Sequence, residues 1–591
     1  MSNSGASTYS GNFWLTFFTN NRIVSGAIII LIYLAIISAL GYLLAPYIRK
    51  LYKGENTFLS KYTAPIIEKI EKVAGVNPKN TSNFKGYFLS LIIFNFLVGV
   101  FSLTFLMIQG DFFKFNGQRP MNIYLAFNTI VSFLTNTNLQ HYSSPLRLSY
   151  SDITVVIIGL MYVSAATGFA ASMAFIRGII NDDGKLGNFF HDFLVSIFDL
   201  LIPLSLLATI LLIIFGVPDT TYTSIVIHPF FDKFTVNIPI GPVASLEGIK
   251  NIGTNGGGFY GANAGYPFEN PSWITNLIEV ISFTIIPIGS IFAIGQVLEN
   301  RKFSFMLFGV IMSLFAFSAF LAFFGEISGV PALSNIGYNF GGNYIGKETA
   351  IGISQSAIFG SAATLTSTGA TNAALIDYTP AGMLGILFPL LLNDPLGGVG
   401  TGVLNIFSYV IFTVFLVSLM VGKLPEIMSL KISSKEIKYS TFSLIIHPLI
   451  IIVPLGFTLL FAPILMKSFV NTHPDQITAL LYEYASAASN NGSEIGGFAT
   501  NTPFYNTLDG IIMLLGRYPI MAFQLIVAES FSYKKPKVQY GRSVDIGSFW
   551  FGFMLLFTMI ILGLISFFPV LAAGPLLAWG RAFSLSVGVV R

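Results

Sequence analysis

Apolar residues fall along this chain in stretches of about twenty, divided by shorter polar segments. A helix needs roughly 20 apolar residues to cross the hydrocarbon core of a bilayer. Such stretches cover 24–46, 87–108, 153–175, 193–216, 274–297, 303–325, 381–420, 441–465, 504–531 and 548–573. The seventh is too long for one straight helix, and GGVGTG at 397–402 interrupts it. Read as one broken or kinked span, it brings the count to ten.

The polar segments between spans two and three, four and five, six and seven, and eight and nine share a second pattern. Each holds a short apolar helical run that ends in a cluster of small polar residues. NIYLAFNTIVSFL runs into TNTN (135–138), and PVASLEGIKNI into GTNGGG (253–258). ISQSAIFGSAATL runs into TSTGATN (366–372), and ITALLYEYASAA into SNNGS (489–493). A helix of a dozen residues reaches roughly 18 Å, too short to span, so these read as re-entrant half-helices. Thr135, Thr254, Thr368 and Asn490 stand 119, 114 and 122 residues apart, and near-even recurrence of one feature signals internal duplication. Asn270-Pro271, Thr379-Pro380 and Thr502-Pro503 then supply a polar cap and a first-turn proline for the following span.

The pattern predicts an all-α membrane protein. Ten transmembrane helices carry four re-entrant pore half-helices, arranged as four span–half-helix–span pseudo-repeats with an extra helix at each end. The boundaries are 1–84 for the first helix and a basic segment, 85–176, 177–298, 299–421 and 422–532 for the repeats, and 533–591 for the last helix.

Composition agrees with this reading. The chain has 591 residues, 53% hydrophobic and only 10% charged, where a soluble domain carries roughly a quarter. The net charge of +4 gives no argument for nucleic acid. The absence of cysteine excludes disulfides, thiolate metal sites and a cysteine nucleophile, and the five histidines make no ligand spacing. With loops numbered alternately, 20 basic residues lie on one side and 10 on the other, and only Arg517 is left inside a span. The positive-inside rule therefore predicts both termini outside. The N-terminus shows no cleavable signal, so the first apolar run is expected to remain as an anchor. The basic segment 49–85 is expected to lie on anionic lipid or against another subunit.

A single Gly-rich loop in a membrane protein is more often a tight turn or a close helix contact than an ion site. Four such loops, each after a short helix and evenly spaced, point to a filter. Potassium sheds its water only where a ring of oxygens replaces the hydration shell. Glycine lets carbonyls turn inward, Thr, Ser and Asn add oxygens or anchor the loop, and helix C-termini favour a cation.

Two other features bear on function. Arg517 in LLGRYPI is either a pathway or coupling residue or an arginine snorkelling to the interface; Asp394 is a candidate partner for it. The glycines at 397–402 suit either a gate or a packing kink. GGNYIGKE (341–348) approaches a nucleotide-binding loop, but Glu348 stands where magnesium needs Ser or Thr. No DKTG-type phosphorylation sequence is present, so no ATP site is expected on this chain.

GPVASLEGIKNIGTNGGGFYGANAGYPFENP and YEYASAASNNGSEIGGFATNTPFYN closely resemble the A-subunit family of the Kdp potassium-transporting P-type ATPases. FLTNTN, SAATGFAASMAFIRG, GGVGTG and MVGKLPE resemble it too, in the same order, so the likeness runs from about 85 to 535. It implies membership of a potassium-transporter superfamily with four pseudo-repeats around one filter. It implies potassium (K+) as transported ligand, uptake across the cell membrane, and translocase activity with ATP hydrolysed elsewhere. The implied partners are a KdpB-like ATPase subunit, a KdpC-like subunit and a small KdpF-like peptide, with an internal tunnel leading ions from the filter to the ATPase.

By the same resemblance the filter comprises Thr135, Asn136, Thr137 and Asn138; Thr254, Asn255, Gly256, Gly257 and Gly258; Thr368, Gly369 and Ala370; and Asn490, Asn491 and Gly492. It favours a constriction at Gly398 and Gly400, and a pathway role for Asp394 and Arg517. Three positions depart from the family pattern: Thr368 replaces a cysteine, Asn393 an acid and Lys423 an arginine. Backbone carbonyls as ligands would tolerate the first; the others bear on gating and coupling. Two alternatives stand beside this reading. One is a stand-alone potassium channel or secondary transporter; the other is a membrane scaffold, whose loops would give no cation-dependent stabilisation.

Overall fold

The structure, a computed structural model, describes residues 21–109, 119–228, 235–329, 341–461, 476–534 and 544–586. Both chain ends, on which the terminal orientation rests, lie outside the described residues. So do the last residues of the stretch 441–465 and several loop cations, among them Lys114, Lys233, Lys467 and Arg542.

The chain begins with α1 (Arg22–Lys53), α2 (Ser60–Ala74), α3 (Phe84–Ile108), the short α4 (Ile123–Leu134) and α5 (Asp152–Ile180). Next come α6 (Phe189–Ile214), the short α7 (Val243–Ile252), α8 (Trp273–Val297), α9 (Arg301–Ile327) and the short α10 (Gly352–Leu365). Then follow α11 (Pro380–Leu391), α12 (Thr401–Val421), α13 (Ser434–Leu460), the short α14 (Gln476–Ala488) and α15 (Pro503–Phe531). The chain closes with α16 (Phe549–Ala573) and α17 (Pro575–Ser586). Ten of these are long and apolar enough to cross a membrane. Two small antiparallel hairpins, Ser224–Ile227 with Val236–Pro239 and Glu426–Ile427 with Leu430–Lys431, lie between helices.

Burial separates inner from outer helices. In α8 and α5, 78% and 67% of the most apolar window is buried, against 28% in α1, α3 and α16. Small residues let helix backbones meet closely. Gly41 of α1 packs on Gly289 of α8, Gly325 of α9 meets the Gly382 backbone of α11, and Ser318 Oγ donates to the Gly385 carbonyl at 2.7 Å.

The seventh apolar stretch is two helices, α11 and α12. Asn393 and Asp394 adopt left-handed backbone angles (φ 56° and 45°), and Pro395 cannot donate a helical hydrogen bond. Thr379 and Thr502 cap α11 and α15 with proline in the first turn, as the sequence predicts. Asn270-Pro271 does not: α8 starts at Trp273 because Ser272 and Thr275 form a capping box. The basic segment contains α2, whereas α17, set off from α16 at Gly574, was not expected.

Candidate ion-binding site

The four small-polar clusters meet at the centre of the molecule, each at the C-terminus of a short helix: α4, α7, α10 or α14. The chain leaves all four helices in the same way. Two residues past the last residue of each helix, Asn136 (φ 63°), Thr254 (49°), Ser367 (56°) and Asn490 (56°) sit in the left-handed region. This turn ends the helix and redirects the carbonyls that follow. The side chains here are small and uncharged, and each of the four is at most 6% exposed.

Hydrogen bonds close the four segments into a ring, in chain order. Asn136 Nδ2 donates to the Gly253 and Thr254 carbonyls at 3.2 and 2.8 Å, and Asn138 Nδ2 to the Gly256 carbonyl at 3.0 Å. Gly256 pairs with Gly369 as an isolated parallel bridge. Ser367 Oγ donates to the Ser489 and Asn490 carbonyls at 3.0 and 2.8 Å. Asn490 Nδ2 donates to Thr137 Oγ1 at 3.0 Å, returning to the first segment. The contacts from segment one to two and from three to four are thus chemically equivalent, with Ser367 taking the part of Asn136.

Further hydrogen bonds brace the segments, from within the ring and from α5. Asn136 Oδ1 accepts from Ser164 Oγ at 2.8 Å and from Asn255 Nδ2 at 2.6 Å. Hydroxyl pairs join Thr135 to Thr137 (2.7 Å) and Thr366 to Thr368 (2.9 Å). Two glycines are required by their surroundings. Gly492 (φ 97°) lies so close to the first segment that a Cβ would overlap the Thr137 carbonyl. Gly257 (φ 71°) would place a Cβ 2.8 Å from Gln140 Oε1 and 3.1 Å from the Asn138 carbonyl.

All fifteen residues assigned from the sequence resemblance lie in these segments, but the register differs in detail. Counted from the helix ends, the equivalent residues are Asn136, Thr254, Ser367 and Asn490; the threonines at 135 and 368 sit one place to either side. Ser367 was missed, together with Gly253 and Ser489, whose carbonyls receive the cross-links. Counting from the last apolar residue of each short helix would have found them. Gly258 and Ala370 lie at the edge: the Gly258 N–H donates to Gln140 Oε1 at 2.8 Å, and the Ala370 N–H to the Thr368 carbonyl. Gln140 sits outside the clusters and carries no sequence signal of its own; Ser164 opens the SAATGFAASMAFIRG motif but was not assigned to the site.

The break between α11 and α12 lies directly against this ring. The Val399 N–H donates to Thr254 Oγ1 at 2.8 Å, and a Cβ on Gly398 would stand 3.0 Å from the same oxygen. Gly400 packs on the Gly168 backbone of α5. Arg517, on α15, donates from Nη2 to the Ser164 carbonyl at 3.2 Å and borders a cleft shared with Ser367, Gly398 and Asn490. Asp394 lies beside Ser367, Ser489 and Asn491. Among the described residues no ion pair joins Asp394 to Arg517, so the expected pairing is not formed. The two charges approach the ring from different segments.

Nearly the whole chain, residues 31–579, matches the family described as Potassium-transporting ATPase A subunit. The chain belongs to this family. Other members include the potassium-transporting ATPase potassium-binding subunits of Thermoplasma volcanium, 61% identical over 98% of both chains, and Thermoplasma acidophilum, 60% identical over the same share. The subunit of the same name from Caldanaerobacter subterraneus is 36% identical over 92% of this chain and 97% of its own. Among solved structures, the potassium transporter TrkH from Vibrio parahaemolyticus aligns with a TM-score of 0.49 at 15% identity, covering 84% of this chain and 96% of that one. As an A-subunit family member with ten helices of spanning length, this is a multi-pass membrane protein. Family membership favours a subunit of a potassium-transporting ATPase over a channel or secondary transporter acting alone.

Proposed function

We propose that this chain is the potassium-binding and translocating subunit of an ATP-driven uptake complex in the cell membrane, with the four-segment ring as its selectivity filter. The observation that carries the proposal is the closed ring. Four helix C-termini direct carbonyl-bearing turns to one place, and side-chain bonds hold neighbouring turns at fixed separation. Held carbonyls replace the hydration shell of an ion without formal charge, and the helix ends add negative potential. Α flexible set of loops would collapse onto a smaller ion; the cross-links from Asn136, Ser367 and Asn490 resist that collapse.

In this reading α4, α7, α10 and α14 are re-entrant half-helices, and 85–176, 177–298, 299–421 and 422–532 are four pseudo-repeats. Both termini lie outside the cell, so potassium enters from the terminal side. Gly398 and Gly400 form a constriction below the filter, with Asp394 and Arg517 on the onward pathway. The chain itself hydrolyses no ATP; a KdpB-like subunit does so, with KdpC-like and small KdpF-like partners in the complex.

Thermal unfolding of the purified complex tests the filter. A ligand that binds only the folded state stabilises by RT ln(1 + [L]/Kd), so potassium should raise the Tm while equal sodium does not. Equal responses to both salts, or none, would overturn the assignment. Potassium-stimulated ATP hydrolysis that needs a co-purifying ATPase subunit tests the partnership.

A further inference from the structure

We propose that His141, Glu483 and Asp509 form a binding site for a divalent transition-metal cation of the zinc class, separate from the ring. His141 follows the first segment by three residues, Glu483 is on α14, and Asp509 is on α15. His141 Nε2 lies 3.8 Å from Glu483 Oε1 and 3.7 Å from Asp509 Oδ2. One ligand atom from each residue falls within 4.8 Å of the others. All three side chains are fully buried. Ligands on a tetrahedral zinc ion, at about 2.0–2.2 Å from the metal, stand roughly 3.4 Å apart. The two histidine–carboxylate distances already lie within about 0.4 Å of that spacing, and closing the carboxylates toward each other completes the shell.

The hydrogen bonding favours a metal. His141 Nδ1 is 2.7 Å from Asn506 Oδ1, and Asn506 Nδ2 donates to Asn501 Oδ1 at 3.0 Å, which fixes Oδ1 as the acceptor. The imidazole proton thus sits on Nδ1, and the Nε2 lone pair faces the carboxylates. A hydrogen-bond acceptor on the far nitrogen is the usual support for a metal-binding histidine. His141 Nε2, both oxygens of Glu483 and both of Asp509 make no hydrogen bond; the Ile495 backbone N–H lies beside Glu483. Buried ionised carboxylates without partners are costly. A dication neutralises both and gives the lone pair a partner, whereas an alkali ion prefers an all-oxygen cage. The site would tie the first segment, α14 and α15 together behind the seam where Asn490 reaches Thr137.

The test uses the full-length chain with its accompanying subunits, stripped with chelator and then titrated with zinc chloride or cobalt(II). About one zinc ion per chain is expected, with cobalt giving a tetrahedral or five-coordinate visible spectrum. His141→Ala and Asp509→Asn should each weaken zinc binding at least tenfold. No uptake by the native chain would overturn the proposal and leave the two carboxylates sharing a proton. Undiminished uptake by both variants would overturn it as well, marking an adventitious ion only. If the variants fail to fold, uptake and the cobalt spectrum of the native chain decide. The outcome does not depend on the filter assignment, which is read by potassium.

Discussion

Asn490 reaches across from the fourth polar segment to the first, its Nδ2 donating to Thr137 Oγ1 at 3.0 Å. The two residues are 353 apart in sequence, and their contact closes the ring. The same amide also donates to the Met513 carbonyl of α15 at 2.9 Å, so the seam is anchored to the helix behind it.

Removing that amide opens the seam. Asn490→Ala deletes two buried hydrogen bonds, worth about 1 kcal/mol each and more where a partner is left unsatisfied. Apparent potassium affinity should fall about tenfold or more, measured as the potassium dependence of transport or ATP hydrolysis. Unaltered affinity would show that the ring does not need this contact.

Ser367 makes the corresponding link between the third and fourth segments. Ser367→Ala should lose affinity and selectivity over sodium together, since two carbonyls are released. Ser367→Thr, which keeps the hydroxyl, should recover most of both in the same assay.

Gly257 sits at positive φ with no room for a side chain. Gly257→Ala and Gly257→Asp should both weaken potassium binding, and the aspartate, which adds charge as well as bulk, should change selectivity further. Transport kinetics that match the native protein in both variants would remove Gly257 from the filter.

Arg517 is buried with no carboxylate partner within ion-pair distance among the described residues. If it acts on the pathway, Arg517→Gln should lower turnover while leaving potassium-dependent thermal protection in place. Loss of protection and expression together would instead mark it as a packing residue.

A separate prediction concerns stability. Glu326 Oε1 accepts from the N–H and hydroxyl of Thr379, and Oε2 from Asn343 Nδ2 and Lys347 Nζ, all within 2.8 Å. This one carboxylate joins α9 to the start of α11. Glu326→Ala leaves Lys347 buried without its charge partner, a change that costs about 3–5 kcal/mol. The measure is unfolding temperature, and the double variant Glu326→Gln with Lys347→Met should recover part of the loss.

Among the described residues, apolar run length identified the helices of spanning length, because the bilayer's thickness sets a minimum that sequence must meet. Helix ends were less legible. Threonine-proline pairs marked two starts correctly, but α8 starts at Trp273, where Ser272 and Thr275 form a capping box. The break at 392–400 was visible as glycines; its cause, left-handed Asn393 and Asp394 followed by Pro395, was not. The recurring pattern located the four clusters and the resemblance chose residues within them, yet Ser367 was passed over, since only its distance from the end of α10 shows it equivalent to Asn136.

By itself the sequence determined a ten-helix membrane chain, four short helices with uncharged polar turns, and membership of one family. These depend on local properties: hydrophobic length, glycine and proline placement, and motif identity. Tertiary structure decided which carbonyls are cross-linked to which, that Arg517 and Asp394 do not pair, and that His141, Glu483 and Asp509 converge. Contacts between residues hundreds of positions apart follow from how buried surfaces pack, and no periodicity along a single chain encodes them.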